Sequence, residues 1–311
     1  MELLPLFVLV GPTAVGKTKI SIELAQKLNG EIISGDSMQV YKYLDIGTAK
    51  IKPEETKGIP HYLIDIKEPT DSFSVAEFQE LAKKKIKEIA GRDRLPMLVG
   101  GTGLYINSVI NDYSFSTTGD IHKLRSQLWK IVDEKGIEEL IKKLKEVDPK
   151  SAQKLHPNDH RRIIRAMEVY CVTGKPISSY HNFSSGTPSK YRLVIIGLNR
   201  ERHLLYQRIN TRVEQMLDEG WLAEVKGLLA KGIPAEAPAL QGLGYKQLIM
   251  HLQGHLTLKD AVELIKRDTR RFAKRQLTWF KRDPRIYWIN MDENEEKEVI
   301  NEILTYVGRS I

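Results

Sequence analysis

The chain has 311 residues, 41% hydrophobic and 28% charged, the composition of a soluble globular protein with room for one large domain or two smaller ones. Its one cysteine, Cys171, excludes an internal disulfide and a cysteine-based zinc site, and is expected as a small buried hydrophobe in a protein of a reducing compartment. The net charge is +8, and residues 266–282 hold eight Lys or Arg against one Asp, so nearly all the excess falls in one segment and suggests a polyanionic partner, nucleic acid before an anionic membrane.

The first ten residues are apolar but carry Glu2, lack a basic start and run straight into a glycine-rich loop. They read as a buried first strand rather than a signal peptide. No stretch has the length of a transmembrane helix, so a cytoplasmic protein is expected. Short apolar runs predict strands at Leu3–Val10, Glu31–Ser34, His61–Ile66, Pro96–Val99, Arg192–Leu198 and Arg285–Ile289. Helical patterns fill Lys17–Leu28 and Val75–Ala90 between them, which predicts an α/β fold with a mostly parallel sheet flanked by helices. About ninety residues between the fourth and fifth strands offer only helical patterns, near Lys123–Lys145, Ser151–Leu155 and Arg161–Val172. The expected organisation is therefore a core of residues 1–112 and 189–311 with a helical insertion at 113–188, the polar stretch SSGTPSK (184–190) serving as a hinge.

Between the first strand and first helix lies GPTAVGKT, Gly11–Thr18, which satisfies G-x-x-x-x-G-K-[ST] in the strand-then-helix context that motif needs. Its glycines allow a tight turn, its N–H groups and the helix start face an anion, and Lys17 adds a point charge. Thr18 is placed to ligate Mg²⁺ bound to the same phosphates. Whether that phosphate belongs to a nucleotide is left open by the motif alone.

Asp36 follows the second strand, at the sheet edge where α/β folds bind ligands; it suits a general base, a Mg²⁺ second shell or a helix cap. The cluster Gly100-Gly101-Thr102-Gly103 follows the fourth strand and permits close approach of a ligand. Arg161, Arg162 and Arg165 open one helix, while Arg208 and Arg212 share a face of another. His156 and His160 are four apart, but Pro157 breaks the helix that a zinc pair would need. In the long basic segment Ile265, Phe272 and Trp279 recur every seven residues and are expected to face the core. Arg267, Arg271 and Arg275 recur every four on another face with few acidic neighbours, the pattern of a phosphate-tracking helix. A kinase or ATPase needs a further carboxylate ending an apolar strand, and Asp65 lies within its run rather than at the end.

Taken together, GPTAVGKT (11–18), DSMQVYKYLDIGTAKI (36–51), PHYLIDI (60–66), VGGTGLYI (99–106), HPNDHRRIIRAMEV (156–169), QGLGYKQL (241–248) and TRRFAKRQLTWF (269–280) resemble the bacterial tRNA dimethylallyltransferases, also called tRNA isopentenyltransferases. The resemblance spans almost the whole chain and implies a P-loop NTPase-like core with an all-helical insertion that clamps the tRNA anticodon stem-loop. It implies that the loop (Gly11, Thr13, Ala14, Val15, Gly16, Lys17, Thr18) holds the diphosphate of dimethylallyl diphosphate, with Mg²⁺ at Thr18. The dimethylallyl group would pass to N6 of the adenosine 3′ of the anticodon, with Asp36 as base and Arg212 on the diphosphate. By the same resemblance Asp36, Ser37, Met38, Gln39, Thr102, Arg125, Arg161, Arg162, Arg165, Gln241, Lys246 and the segment Thr269–Gln276 (Arg270, Arg271, Lys274, Arg275) contact tRNA; Arg125 aligns across a one-residue gap. A monomer without membrane contact is expected. An adenylate isopentenyltransferase, a P-loop small-molecule kinase and a phosphate-gated RNA-binding module are the alternatives. The basic helix argues against the first, and ATP turnover without tRNA would select the second. Binding of tRNA without transfer would select the third.

Overall fold

Leu4–Val10 (β1) reads LPLFVLV, and in the computed structural model its last five residues are completely buried. A strand buried on both faces needs a continuous apolar run, and its alternate residues divide between two cores. Phe7 and Leu9 join one; Leu6, Val8 and Val10 join the other. The structure describes residues 3–113, 121–180 and 190–309. The stretch 184–189, expected as a hinge, lies outside them.

The chain divides into two compact units, Met1–Asp112 with Ser189–Ile311, and Tyr113–Pro188. In the first, β1 leads through the phosphate loop to α1 (Lys17–Lys27), β2 (Gly30–Ser34), β3 (His61–Tyr62), α2 (Val75–Ala90), β4 (Leu95–Gly100) and α3 (Gly103–Ile110). It resumes with β5 (Tyr191–Asn199), ends with β6 (Tyr287–Asn290) and α13 (Glu296–Gly308), and carries helices α9 (Arg202–Asp218), α10 (Trp221–Ala230), α11 (Tyr245–Leu252) and α12 (Leu258–Phe280) between those strands. The six strands lie in the order β3-β2-β4-β1-β5-β6 and every pairing is parallel. Val10 stands beside Gly100 on one side and Gly197 on the other, so the strand ends are level.

One face of the sheet packs on α1 and α13 through Ile20, Leu24, Val299 and Ile303; the other packs on α2 and α3 through Phe78, Ile86, Ile106 and Val109. Each such side chain contributes roughly 1.5–3 kcal/mol of burial, so together they outweigh any local helix or turn preference. Ser74 caps α2 by accepting the Glu77 N–H at 3.1 Å, which starts the helix at the predicted residue. Helices α9 to α12 enclose a third core around Trp221, Tyr245 and Ile265, against which Val40, Tyr41 and Leu44 from the loop after β2 are packed.

The predicted third strand is shorter than expected. Only His61 and Tyr62 pair, because Leu63 and Asp65 take left-handed φ values of 61° and 55° that end the extended backbone. In the unit Tyr113–Pro188 the helices are α4 (Ile121–Lys135), α5 (Ile137–Val147), α6 (Pro149–Lys154), α7 (His160–Thr173) and α8 (Ile177–Tyr180). The single pattern expected over 123–145 is two helices, broken at Gly136 with φ of 82°. Their apolar faces meet α7 in a separate core of Leu128, Leu140, Leu144, Ile163, Ile164 and Met167. Cys171 is exposed on α7, contrary to the buried hydrophobe expected. Among the described residues, no helix is long and apolar enough to cross a membrane.

Candidate active site

From β1 the chain crosses to β2 and β3, whereas β4 returns beside β1 and leads to β5 on its far side. This reversal opens a crevice between β1 and β4 at the carboxyl edge of the sheet, where open α/β folds bind ligands. Three loops meet there: Gly11–Gly16 after β1, Gly35–Lys50 after β2, and Gly101–Thr102 after β4. They surround a cavity of about 630 Å³ lined by the phosphate loop, Asp36, Gln39, Thr48, Ile51, Ile64, Arg208, Arg212 and Phe272, among others.

The phosphate loop is held by its carbonyl oxygens. Lys17 Nζ donates to Gly11 and Pro12 at 2.9 and 2.8 Å, Arg208 Nε to Ala14 at 3.0 Å, and Arg200 Nε to Val15 at 3.1 Å. The C=O and N–H of one peptide point opposite ways, so fixing the Val15 oxygen on Arg200 turns the Gly16 N–H to the other side. Asp292 pairs with Arg200 and keeps it in place. The N–H groups of the first turn of α1 add donors that have no partner within the helix. An anion is thus offered a row of N–H groups, the helix start and Lys17.

Burial lowers the Lys17 ammonium to about 8; Asp36 opposes that shift and Arg212 reinforces it. Burial likewise lowers Arg212, with Asp36 opposing. Among the described residues the Arg212 guanidinium makes no hydrogen bond. Asp36 is half-buried in the cavity wall, where its Oδ1 accepts the Met38 N–H at 2.8 Å and leaves the second oxygen available. The structure therefore brings together Lys17, Thr18, Asp36 and Arg212, which lie up to 195 positions apart in the chain. Thr18 is exposed to the cavity, and among the described residues no group of three or more His, Cys, Asp or Glu is placed to hold a metal. Such a site suits a hard cation that takes most of its oxygens from water and a bound diphosphate.

The other predicted residues fall into distinct settings. Ser37 donates its N–H to Thr102 Oγ1 at 3.1 Å, joining the loops after β2 and β4. Met38 packs over Gly242, where a Cβ would meet its Cε at 2.4 Å, and this brings the 36–39 segment beside Gln241. Gln241 and Lys246 are exposed, although Gln241 donates to the Ala235 carbonyl at 2.8 Å. Gln39 has both ends of its amide engaged within the protein, with Ser34 Oγ at 2.9 Å and the Thr48 and Ala49 carbonyls at 3.3 Å. In the other unit Arg161 and Arg162 are exposed at the start of α7, but Arg125 and Arg165 both bind Glu168, a side chain only 1% exposed. Asp65 is paired with Lys50 at 2.5 Å, and Lys50 also binds Asp45, so this carboxylate ties loops together.

Helix α12 differs from its expected pattern. Ile265 is buried, but Phe272 lines the cavity and Trp279 is 37% exposed; Ala261, Ala273, Gln276 and Phe280 complete the buried stripe. The 3.6-residue period, not a strict seven, sets which side faces inward. Its stretch from Glu263 to Arg271 is also salt-bridged, contrary to expectation: Lys266 with Glu214 and Glu263, and Arg267 and Arg271 with Asp268. Arg270 donates to Asn210 at 2.7 Å. Lys274 and Arg275 are exposed and have no ion pair among the described residues. The glycines after β4 serve both access and packing: Gly100 and Gly101 line the cavity, while a Cβ on Gly101 would meet Gln276 Nε2 at 2.2 Å and one on Gly103 would meet Trp279 at 2.3 Å.

Sequence reasoning missed Arg200 and Glu224, and placed Gln276 only at the end of a tRNA-contact segment, whereas it is 6% exposed and bonded to Thr13 and Gly101. Glu224 on α10 accepts the Asp45 and Ile46 N–H groups at 2.9 and 2.7 Å and the Tyr245 hydroxyl at 2.6 Å, fixing the loop whose Thr48 and Ala49 line the cavity. No local signal marks such residues, because their partners lie far away in the chain.

A parallel sheet with a phosphate loop at its switch point, and, between β4 and β5 in the chain, a unit that is helical over its described elements, define a P-loop-like α/β protein. The IPP transferase family model matches residues 39–283, and the chain belongs to that family. It is 54% identical to a tRNA dimethylallyltransferase of Carboxydothermus hydrogenoformans over 97% of each chain, and 52% identical to one of Acetivibrio thermocellus over 96% of each. Among solved structures it is similar to a tRNA isopentenylpyrophosphate transferase of Bacillus halodurans, with a TM-score of 0.73 and 48% identity over 98% of this chain and 96% of that one. A eukaryotic dimethylallyltransferase acting on tRNA gives a TM-score of 0.81 at 30% identity, over 99% of this chain and 80% of the other.

Proposed function

We propose that this chain is a prenyltransferase that moves a dimethylallyl group from dimethylallyl diphosphate to N6 of the adenosine 3′ of the anticodon in tRNA, releasing diphosphate. The observation that carries the chemistry is the convergence of Lys17, Arg212 and Asp36 on one cavity whose remaining wall includes Ile51, Ile64 and Phe272. Cations at one end suit a leaving diphosphate, apolar side chains suit a five-carbon allyl group, and a carboxylate suits the proton of the attacking amine.

In the reaction the N6 lone pair forms a bond to C1 of the allyl group as the C1–O bond breaks, and the electron pair leaves on the diphosphate. Gly16 N–H, the first turn of α1, Lys17 and Arg212 stabilise the charge that builds on those oxygens, and do so most strongly because they are already oriented. Asp36 accepts the N6 proton; an exocyclic adenine amine is a weak nucleophile, so a positioned base is effective. Thr18 would hold a Mg²⁺ ion here, and such an ion would supply further charge neutralisation to the leaving diphosphate. The target base leaves the anticodon-loop stack to enter the cavity. Thr102, Ser37, Gln241, Lys246 and the exposed end of α12 hold the RNA around it, and Arg161 and Arg162 of the helical unit supply further contacts to the tRNA. tRNA as the substrate supports a cytoplasmic enzyme.

Incubation with labelled dimethylallyl diphosphate, Mg²⁺ and unmodified tRNA tests this. Label in the RNA, lost when the target adenosine is replaced, is the expected result. ATP turnover without tRNA and no label in the RNA would overturn the reading.

A further inference from the structure

The phosphate loop matches a motif that in most proteins holds nucleoside triphosphates, and one buried side chain changes what it can hold. Gln276, on the inner face of α12, is 6% exposed. Its Oε1 accepts the Thr13 N–H at 2.9 Å and its Nε2 donates to the Gly101 carbonyl at 2.9 Å. Gly101 admits it, since any side chain there would collide with that amide nitrogen. The bridge spans the mouth of the crevice between β1 and β4, with Phe272 one helical turn earlier lining the same cavity.

We propose that Gln276 is a specificity-determining residue: its amide closes the leading end of the phosphate loop, so that the cavity accepts an organic diphosphate and rejects triphosphates. This rests on the loop holding a diphosphate, as proposed above. A loop of this kind binds phosphates through its N–H groups, and the length of the available row sets how many it cradles. The Thr13 N–H is consumed by Gln276 and the Val15 N–H by the Pro12 carbonyl at 3.4 Å, which leaves the row to Ala14, Gly16 and the first turn of α1. A third phosphate extended toward Thr13 meets a carbonyl oxygen, which repels it. Displacing the amide would leave the Gly101 oxygen and the amide itself buried without partners, a cost the incoming anion would have to offset. Phe272 meanwhile offers an apolar surface suited to a hydrocarbon group rather than to charge.

The experiment compares affinities for inorganic diphosphate and inorganic triphosphate, each with excess Mg²⁺, by calorimetry on the full chain and on Gln276→Ala. The wild-type protein is expected to prefer diphosphate. In Gln276→Ala the triphosphate-to-diphosphate affinity ratio should rise on the order of tenfold, the worth of about one hydrogen bond and its buried partner. A purely structural role would weaken both ligands alike and leave the ratio fixed. Gln276→Met, which keeps the volume but frees the Thr13 N–H, serves if the alanine variant does not fold, and should raise the ratio less. An unchanged ratio in the variant that folds overturns the proposal, as does a wild-type protein that binds triphosphate as tightly as diphosphate. Transfer of labelled dimethylallyl to tRNA by the same wild-type preparation separates that failure from failure of the transferase reading.

Discussion

Asp36 and Lys17 come from the ends of different strands and meet across the anion-binding end of one cavity. Burial pulls the Lys17 ammonium down to about 8, and the Asp36 carboxylate limits the fall. A diphosphate binds to the charged form, so affinity for dimethylallyl diphosphate should be level below about pH 8 and fall about tenfold per pH unit above it. Stability of the ligand-free protein moves the other way. An unfolded lysine keeps the ordinary value of 10.5, so between pH 8 and 10.5 the unfolded state binds the extra proton and the folded state gains as pH rises. Calorimetric titrations and thermal melts from roughly pH 7 to 10 check both slopes. Lys17→Arg, which does not titrate there, should remove both; a break that persists would assign it to another group.

Asp36→Asn keeps the shape and removes the carboxylate proposed as the base. Single-turnover transfer should slow by on the order of 10²–10⁴ while tRNA affinity changes little. Because Asp36 supports the Lys17 charge, the variant should also move the break in donor affinity to lower pH. Near-normal turnover would reduce Asp36 to the Met38 turn that it already makes.

The buried Glu168 carboxylate should govern the helical unit. Burial pushes its pKa up, but Arg125 and Arg165 together outweigh that and hold it below the ordinary carboxylate value. Its contribution is therefore present at neutral pH and lost as pH falls through the lowered folded value. Glu168→Gln removes two charge-assisted interactions while leaving two half-exposed guanidinium groups in water, and should cost about 1–3 kcal/mol. Thermal unfolding should report that loss at neutral pH and a smaller one in acid, once the pH has fallen through the lowered value of the wild-type carboxylate. Equal melting temperatures at neutral pH would show that the cluster is idle in folding and release Arg125 and Arg165 for RNA.

The parallel sheet was legible because strands buried on both faces must be unbroken apolar runs, as in β1 and β5, and because a phosphate loop announces its own strand and helix. His61–Ile66 misled for a related reason: an apolar run reports burial, and Leu63 is buried in a turn whose left-handed backbone no run of side chains reveals. Asp36, Lys17, Thr18 and Arg212 could be named, but composition and spacing left the phosphate's owner open, and the resemblance to one family supplied it. The supports of the site were not legible. Arg200 with Asp292, Glu224 with the Asp45 and Ile46 N–H groups, and Gln276 with Thr13 and Gly101 join residues whose partners lie 92 to 263 positions away. Helix α12 shows the intermediate case. Its basic character was plain, and Glu263 and Asp268 of the helix itself neutralise Lys266, Arg267 and Arg271, while the second partner of Lys266, Glu214, lies on another helix.

That division within α12 makes the sharpest prediction about RNA. Lys266, Arg267 and Arg271 already face carboxylates, whereas Lys274 and Arg275 are exposed with no ion pair among the described residues. A cation without a carboxylate partner releases counterions when it meets a phosphate; one already paired gives up its partner first and gains less. The Lys274→Ala, Arg275→Ala double variant should therefore weaken binding of many tRNA sequences alike. It should also flatten the log–log salt dependence by roughly 0.7 to 0.9 for each phosphate that the variant no longer neutralises. Arg271→Ala should do less on both counts. Affinity for dimethylallyl diphosphate should barely move in either variant, because Lys274 and Arg275 do not line the cavity proposed to hold the donor. Filter binding across a salt series measures slope and intercept together. An unchanged slope in the double variant would make this end of α12 a solvated face, for which removing charge costs little. The RNA-binding role would then fall to Arg161 and Arg162 at the start of α7.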